Sequence, residues 1–284
     1  MNRDFVQGEP KHTTVILKQR RVGLRIFSVI ALVLLVAITV IVASSENFRW
    51  HIVGKFLFDP NILVGVGNTL ILTFLSMLVG TLIGVVLALM KLSGLRELEW
   101  IADGYIWFFR GVPLLVQLLF WFNLAALFPQ IGIPGVLELN ANEVISPFMA
   151  AFLALALHEG AYMAEIVRSG ILSIDRGQSE AAGALGFTPQ KIMASVVLPQ
   201  AMRVIIPPTG NQVISMLKTT SLVSVIAIND LLYSSQIIYS ANYQVIPLLL
   251  VACVWYLLLV TVLTLIQSRI ERHFSRSSLV AVGR

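Results

Sequence analysis

The sequence from Arg176 to Pro199, RGQSEAAGALGFTPQKIMASVVLP, is polar and rich in small residues, and long apolar segments flank it on both sides. Its apolar runs are too short, and the stretch as a whole is too polar, to cross a bilayer, because a spanning helix needs about 20 apolar residues. The stretch therefore predicts a segment that a membrane protein presents to the aqueous phase, where another molecule can contact it.

The composition of the whole chain is that of a membrane protein. Of its 284 residues, 57% are hydrophobic and only 12% are charged, whereas soluble domains carry about 25% charged residues. The net charge of +5 does not require a nucleic-acid partner, since basic residues collect in the cytoplasmic loops of membrane proteins. The single cysteine, Cys253, rules out a disulfide within the chain and a cysteine metal site.

Six segments are long and apolar enough to be membrane-spanning helices, and they lie at residues 26–45, 60–90, 104–128, 147–167, 209–228 and 246–268. They predict an all-α, polytopic helix bundle. The predicted domain organisation has four parts, namely a tail at 1–25, an N-terminal helix at 26–45, a membrane domain at 60–270 and a tail at 271–284.

The distribution of basic residues predicts which side of the membrane each loop occupies. With the N-terminus inside, sixteen of the twenty Lys and Arg residues fall in inner segments, and only Arg49 and Lys55 fall in outer loops. The positive-inside rule therefore places both termini and residues 176–199 in the cytoplasm. The run at 26–45 is longer than a signal-peptide core, which favours an uncleaved helix over a cleaved signal.

Local signals within residues 176–199 predict two short helices joined by a tight corner. Residues 178–185 favour a helix whose small side chains would let another surface approach closely. Gly186 is placed to end this helix in the left-handed conformation, and Thr188 and Pro189 are typical of the cap and first residue of a second helix. The alternative is an ordinary linker that lies on the lipid headgroups.

Four motifs along the chain carry a family resemblance, and they are Arg110-Gly-Val-Pro-Leu-Leu-Val-Gln117, Gly160-Ala-Tyr-Met-Ala-Glu-Ile-Val-Arg168, Gly177-Gln-Ser-Glu-Ala-Ala182 and Lys218-Thr-Thr-Ser-Leu222. After Glu180-Ala-Ala182 come Gly186, nine further residues and Val196-Val-Leu-Pro199. This spacing resembles the EAA loop of the membrane subunits of ABC importers, with Val196 in place of the commoner isoleucine. Together the motifs resemble the polar amino-acid permeases of the histidine, glutamine and glutamate type, over about residues 64–269.

This resemblance implies a type I importer in the cytoplasmic (inner) membrane, with a five-helix core to which residues 26–45 add an N-terminal helix. Residues 176–199, called the coupling segment below, would contact the ATPase through Gly177, Glu180, Ala181, Ala182 and Gly186. The implied partners are an ABC ATPase dimer that binds ATP and Mg²⁺, a second permease subunit, identical or homologous, an external solute-binding protein, the amino-acid substrate and the lipid bilayer. The chain itself would need no cofactor.

Ionisable side chains inside spans are candidates for function, because a charge at the bilayer centre costs at least about 2.5 kcal/mol. Glu159 lies near mid-depth of its span, and its carboxylate could receive the ammonium or basic side chain of an amino acid. Alternatively, Glu159 is paired with His158 or Lys218. The hydroxyls at 219–221 either line the passage or bond to neighbouring helices. The full set of pathway candidates is Gln117, Glu159, Tyr162, Lys218, Thr219, Thr220 and Ser221.

Three further charged residues are assigned to structure or gating. Glu165 and Arg168 lie three residues apart on one helical face and predict an ion pair. Arg110 precedes Gly111 and Pro113, where the helix should kink, and its long side chain can reach the membrane interface.

The sequence offers no catalytic or metal site. His158-Glu159 begins as a zinc-binding HExxH motif would, but residue 162 is tyrosine, and no GxxxxGK[ST] phosphate loop is present. An ion-gradient-driven secondary amino-acid transporter is the main alternative, since it would use Glu159 and Lys218 as an ion relay. A structural membrane scaffold is a third hypothesis. The secondary transporter would not explain a capped helical segment of small residues, and the scaffold would not require the polar residues at 218–221 to face a cavity.

Overall fold

The computed structural model describes residues 22–133, 137–140 and 144–275, and these residues are mostly helical. The helices and strands of these ranges are, in chain order, α1 Val22–Ser44, α2 Trp50–Phe56, α3 Pro60–Leu92, α4 Arg96–Gly111, α5 Leu114–Phe122, α6 Leu124–Leu127, β1 Gln130–Ile133, β2 Leu137–Asn140, α7 Pro147–Leu172, α8 Arg176–Ala184, α9 Pro189–Ile192, α10 Leu198–Thr219, α11 Leu231–Asn242 and α12 Val245–Ser275. The predicted tails at 1–25 and 271–284 lie mostly outside the described residues.

The chain divides into two units, the first ending at Arg49 and the second beginning at Trp50. In the first unit, α1 is apolar on every side and largely exposed along its length. It is long and apolar enough to cross a membrane, as the sequence predicts for residues 26–45.

In the second unit, four long helical segments could cross a membrane, and they are α3, α7, the continuous run Pro189–Ile226 and α12. The pair formed by α4 and α5 passes the same test together but is bent by 99°. Counted as one span, this pair brings the total with α1 to the six that the composition predicts, and the polytopic helix bundle is confirmed. The antiparallel hairpin of β1 and β2, with Gln130 opposite Asn140, was not predicted.

The bend between α4 and α5 lies where the sequence predicts a kink. Pro113 has no N–H to donate, and a residue before proline avoids the helical conformation; Val112 is accordingly extended, with φ −90° and ψ 131°. The Gln117 side chain occupies the break, and its Nε2 donates to the carbonyls of Phe109 at 3.0 Å and Val112 at 2.8 Å. These bonds satisfy two carbonyls that the bend leaves without helical partners.

The core of the second unit forms where α3 and α7 pack closely through small residues. A Cβ built on Gly80 would lie 2.7 Å from Glu159 Cβ, and one on Gly84 would lie 2.5 Å from Met163 Cβ. Within membranes, small residues permit this close backbone approach, which compensates for the missing hydrophobic drive between helices. Helix α4 packs beside the pair through a small cluster made by Leu87, Ala102, Ile106, Ala161 and Ala164.

The second short helix predicted in the coupling segment is not a separate element. Helix α9 passes through a π-helical turn at Met193–Val197 directly into α10, so the helix containing the fifth span begins at Pro189 rather than near residue 209. The wider turn lies beside Pro199, which cannot donate to the carbonyl four residues earlier and whose ring would clash with it. The second short helix and the fifth span, which were predicted as separate segments, are therefore one continuous helix.

Candidate functional site

The coupling segment has the Thr188 cap and the Gly186 corner that its sequence predicts, and Asp175 supplies a further cap that was not predicted. Asp175 caps α8 by accepting a hydrogen bond from Gly177 N at 2.6 Å, and Thr188 caps α9. Gly186 ends α8 with φ +79°. Its N–H donates to Gly183 O, and Phe187 N–H donates to Ala182 O, which is the bond pattern of a Schellman motif. The predicted tight corner between α8 and α9 is confirmed.

Helix α8 buries one side and leaves the rest exposed. Ala182 is buried, whereas Glu180, Ala181 and Gly186 are exposed, and Leu185 is 78% exposed. The ammonium of Lys191 lies 4.3 Å from the ring centre of Phe187, beside the corner. The result is a fixed helix that presents small side chains and one carboxylate outward. Contact of Gly177, Glu180, Ala181, Ala182 and Gly186 with an ATPase stays a prediction.

A second group of polar side chains gathers at the bend between α4 and α5. Gln117 is buried, and its Nε2 lies 3.3 Å from His158 Nδ1 on α7. The rings of His158 and Tyr162 are 5.1 Å apart, and the exposed Arg110 lies over the Tyr162 ring, also at 5.1 Å. Arg110 thus contacts an aromatic face. The assignment of Gln117 and Tyr162 to a pathway stays a prediction, and Gln117 in addition supports the bend.

Glu159 is buried on α7 and is only 4% exposed. The side chain of Gln212, on α10, lies within hydrogen-bonding reach of this carboxylate. Oε1 of Glu159 has no hydrogen-bond partner among the described residues, and the ion pairs found in the same part of the chain do not include Glu159. The expected alternative, a buried pair with His158 or Lys218, is therefore wrong, because His158 faces Gln117 and the neighbour of Glu159 is an amide.

The hydroxyls that follow the exposed Lys218 bond mainly to their own helix. Thr219 donates to Ser215 O, Thr220 to Leu217 O and Ser221 to Lys218 O, at 2.7–2.9 Å. The backbone changes to a 3-10 helix at Thr220–Ile226. The hydroxyl hydrogens of these three residues are thus already used within the helix. Whether Lys218, Thr219, Thr220 and Ser221 line a passage stays a prediction.

The predicted ion pair between Glu165 and Arg168 is confirmed, at 3.4 Å, and it belongs to a larger cluster. Lys91 Nζ, in the last turn of α3, lies 3.0 Å from Glu165 Oε1 and 2.8 Å from Asp103 Oδ1 on α4. These four residues are called the Lys91 network below. Lys91 and Asp103 were not predicted from the sequence; a basic residue at the end of an apolar span was the available signal.

A buried polar cluster around Asp230, called the Asp230 junction, was also not predicted from the sequence. Asp230 is fully buried in the loop before α11, accepts from Tyr233 N at 2.8 Å and from Tyr256 Oη at 3.3 Å, and lies beside Thr69, which accepts from Leu231 N at 3.1 Å. Burial raises the pKa of Asp230 to about 6. The junction joins α3, α11 and α12. Its sequence signal was the aspartate immediately before an apolar helix.

No group of three or more His, Cys, Asp or Glu side chains within the described ranges could hold a metal ion. The structure thus gathers polar side chains in three places, namely at the bend between α4 and α5, in the Lys91 network and at the Asp230 junction. In the coupling segment, α8 is mostly exposed, whereas residues from Pro189 onward continue into the fifth span.

Comparison with known proteins gives consistent matches. Residues 80–276 match the family model of the binding-protein-dependent transport system inner membrane component. The chain is 42% identical to the arginine transport system permease protein ArgU of Corynebacterium glutamicum over 262 residues, covering 91% of this chain and 82% of that one. It is 38% identical to the L-cystine transport system permease protein TcyB of Bacillus subtilis over 228 residues, covering 80% and 92%.

A solved structure shows the same fold. It is a crystal structure of an amino acid ABC transporter with histidines, and it matches with a TM-score of 0.68 at 37% identity, covering 78% of this chain and 97% of that one.

Proposed function

Because the chain belongs to the family of inner membrane components of binding-protein-dependent transport systems, we propose that it is the permease subunit of an ATP-driven importer of polar L-amino acids. It is a multi-pass membrane protein and a transport subunit. Hydrolysis of ATP belongs, in this proposal, to a separate ATPase dimer that binds ATP and Mg²⁺. An external solute-binding protein delivers the amino acid.

The position of helix α8 is the main support for an ATP-driven mechanism. Helix α8 is exposed, capped at both ends, and held between two segments that could span a membrane, α7 and the run Pro189–Ile226. A force applied to α8 by a partner would therefore reach both spans directly. An ion-gradient-driven transporter needs no such element, which is why the ATP-driven mechanism is favoured over that alternative.

The proposed orientation in the membrane rests on the distribution of basic residues, and the proposed subunit assembly rests on the family. The excess of basic residues on one side supports a cytoplasmic membrane location with both termini and α8 in the cytoplasm. A second permease subunit, identical or homologous, would complete the passage, since alternating access needs two bodies around a central site. Nothing in the charge distribution calls for a nucleic acid.

Glu159, Gln117 and Tyr162 are the proposed substrate contacts within the membrane. A buried carboxylate with one unpaired oxygen, next to the amide of Gln212, can accept hydrogen bonds from an ammonium or guanidinium. Relatives named for arginine and cystine are similarly close to this chain, so the similarity supports polar amino acids as a class, with arginine as the first to test.

The test is uptake by the purified complex in proteoliposomes, with the ATPase and the solute-binding protein present. Arginine, cystine, glutamine and histidine are offered in turn, with and without ATP on the ATPase side. We expect uptake of at least one amino acid that requires ATP and survives an ionophore that collapses ion gradients. Uptake that persists without ATP and stops with the ionophore would establish the secondary-transporter alternative instead.

A further inference from the structure

The Lys91 network lies close to the coupling segment along the chain. Glu165 precedes the end of α7 at Leu172 by two helical turns, and only residues 173–175 separate α7 from α8. This short connection is held at both ends, because Ser173 Oγ donates to Gly170 O at 2.7 Å and Asp175 caps α8. A displacement of α8 is therefore passed to α7 with little slack.

The network also ties α7 to two other helices. Lys91 brings the end of α3 to Glu165, and the same ammonium holds Asp103 on α4. The side chains of Lys91 and Glu165 are 17% and 27% exposed, whereas that of Asp103 is 57% exposed, so the pair with Glu165 is the less exposed of the two. Because both carboxylates bind one ammonium, the loss of Lys91 would leave two like charges close together.

We propose that Lys91 is a positioning residue for energy coupling, which holds α3 and α4 to α7 so that the movement of α8 displaces three helices as one body. This inference rests on the proposed function, because it requires an ATPase that moves α8. Without Lys91, the end of α3 and the adjoining α4 would follow the movement of α7 less closely, although Gly80 and Gly84 would still pack α3 against α7. ATP hydrolysis would continue, and fewer amino-acid molecules would cross per ATP.

The experiment measures arginine uptake and ATP hydrolysis in the same proteoliposomes, or uptake of whichever amino acid of the panel the wild-type complex carries best. Lys91→Met keeps the apolar stem and removes the charge, and Lys91→Arg restores a cation. Arg96→Met is the matched control, because Arg96 is an exposed basic residue at the start of α4 and takes no part in the ion pairs found among the described residues.

We expect Lys91→Met to lower transported molecules per ATP by about fivefold or more, which is the usual scale of a coupling energy between sites. Lys91→Arg should regain most of this ratio, and Arg96→Met should match the wild type. If Lys91→Met does not reach the membrane, the double variant Lys91→Met with Glu165→Gln is measured by the same criterion. It also removes one of the two carboxylates that Lys91 neutralises.

Two results would overturn the inference. One is a wild-type ratio in an assembled Lys91→Met complex. The other is an equal fall in uptake and ATP hydrolysis, since that pattern belongs to a residue that only stabilises the protein. A wild-type complex without ATP-driven uptake would instead refute the proposed function, and the two failures are distinguishable for that reason.

Discussion

The left-handed corner at Gly186 offers a direct test of the coupling segment through Gly186→Ala. A Cβ built at this position meets no atom within 4 Å, so the new methyl causes no clash and the penalty comes from the φ of +79° alone. An L-residue in this region costs about 1–2 kcal/mol. That energy corresponds to a roughly 5- to 30-fold change in the balance between the closed and the opened corner.

Gly183→Ala is the matched comparison within the same helix, and it should act in the opposite direction. Gly183 is helical, and its nearest neighbour for an added Cβ is Ile192 Cδ1 at 4.0 Å. Alanine in a helix interior is favoured over glycine by about 0.8–1.0 kcal/mol. The two substitutions add the same methyl group to α8 and its cap but should shift the stability of the corner with opposite signs.

Hydrogen exchange on the purified permease in lipid nanodiscs measures this difference. The amide of Phe187 bonds to Ala182 O across the corner, so its exchange should become roughly 5- to 30-fold faster in Gly186→Ala and no faster in Gly183→Ala. ATP-driven uptake by the complex should fall with Gly186→Ala and not with Gly104→Ala, a helical glycine of α4 with open space around it. Wild-type exchange and uptake in Gly186→Ala would refute the view that this corner holds α8 for its partner.

Three further substitutions test the remaining sites. Glu180→Lys should leave the permease in the membrane but abolish co-purification of the ATPase, whereas Glu97→Lys, at another exposed glutamate, should not; equal yields of ATPase would exclude a docking role for Glu180. Glu159→Gln should raise the half-saturating arginine concentration roughly tenfold, since a hydrogen bond to a charged group contributes about 1.5–3 kcal/mol, and unchanged kinetics would remove Glu159 from the pathway. The raised pKa of Asp230, about 6 against its ordinary 3.8, makes its stabilising contribution complete below pH 3.8 and lost as the pH rises through 6. The free energy of unfolding should therefore gain about 1 kcal/mol from this group between pH 7.5 and pH 5, and thermal unfolding that shows the same pH dependence in Asp230→Asn would contradict this.

The features that sequence reasoning captured depend on short stretches of chain. The corner at Gly186 and the cap at Thr188 follow from capping chemistry, which involves residues only a few positions apart. The kink before Pro113 follows from the geometry of a single residue. The pair of Glu165 and Arg168 is similarly local, at one helical turn. In each case the physical cause lies within one or two helical turns, so it can be recognised without tertiary contacts.

The features that were missed depend on contacts between residues that are far apart in the sequence. Lys91 and Glu165 are 74 positions apart, and Leu231 bonds to Thr69 across 162 positions. Gln117 was assigned only to a pathway. The two carbonyls that its amide binds lack helical partners only when the helix is bent, and the sequence does not show which side chain will lie there. The neighbour of Glu159 proved to be Gln212 rather than a charged residue, since the way α7 packs on α10 decides which side chains meet.

The sequence alone therefore determined that this chain crosses a membrane several times and where an exposed capped helix interrupts the spans, and it predicts which side the loops occupy. Length, apolarity, basic residues and caps are all properties of individual segments. The tertiary structure decided which helical faces meet, because the lipid is as apolar as leucine and the spans are apolar on most sides. In such helices hydrophobic periodicity does not mark a buried face, and the contacts are set by small residues such as Gly80 and Gly84 and by single polar groups such as Lys91 and Asp230.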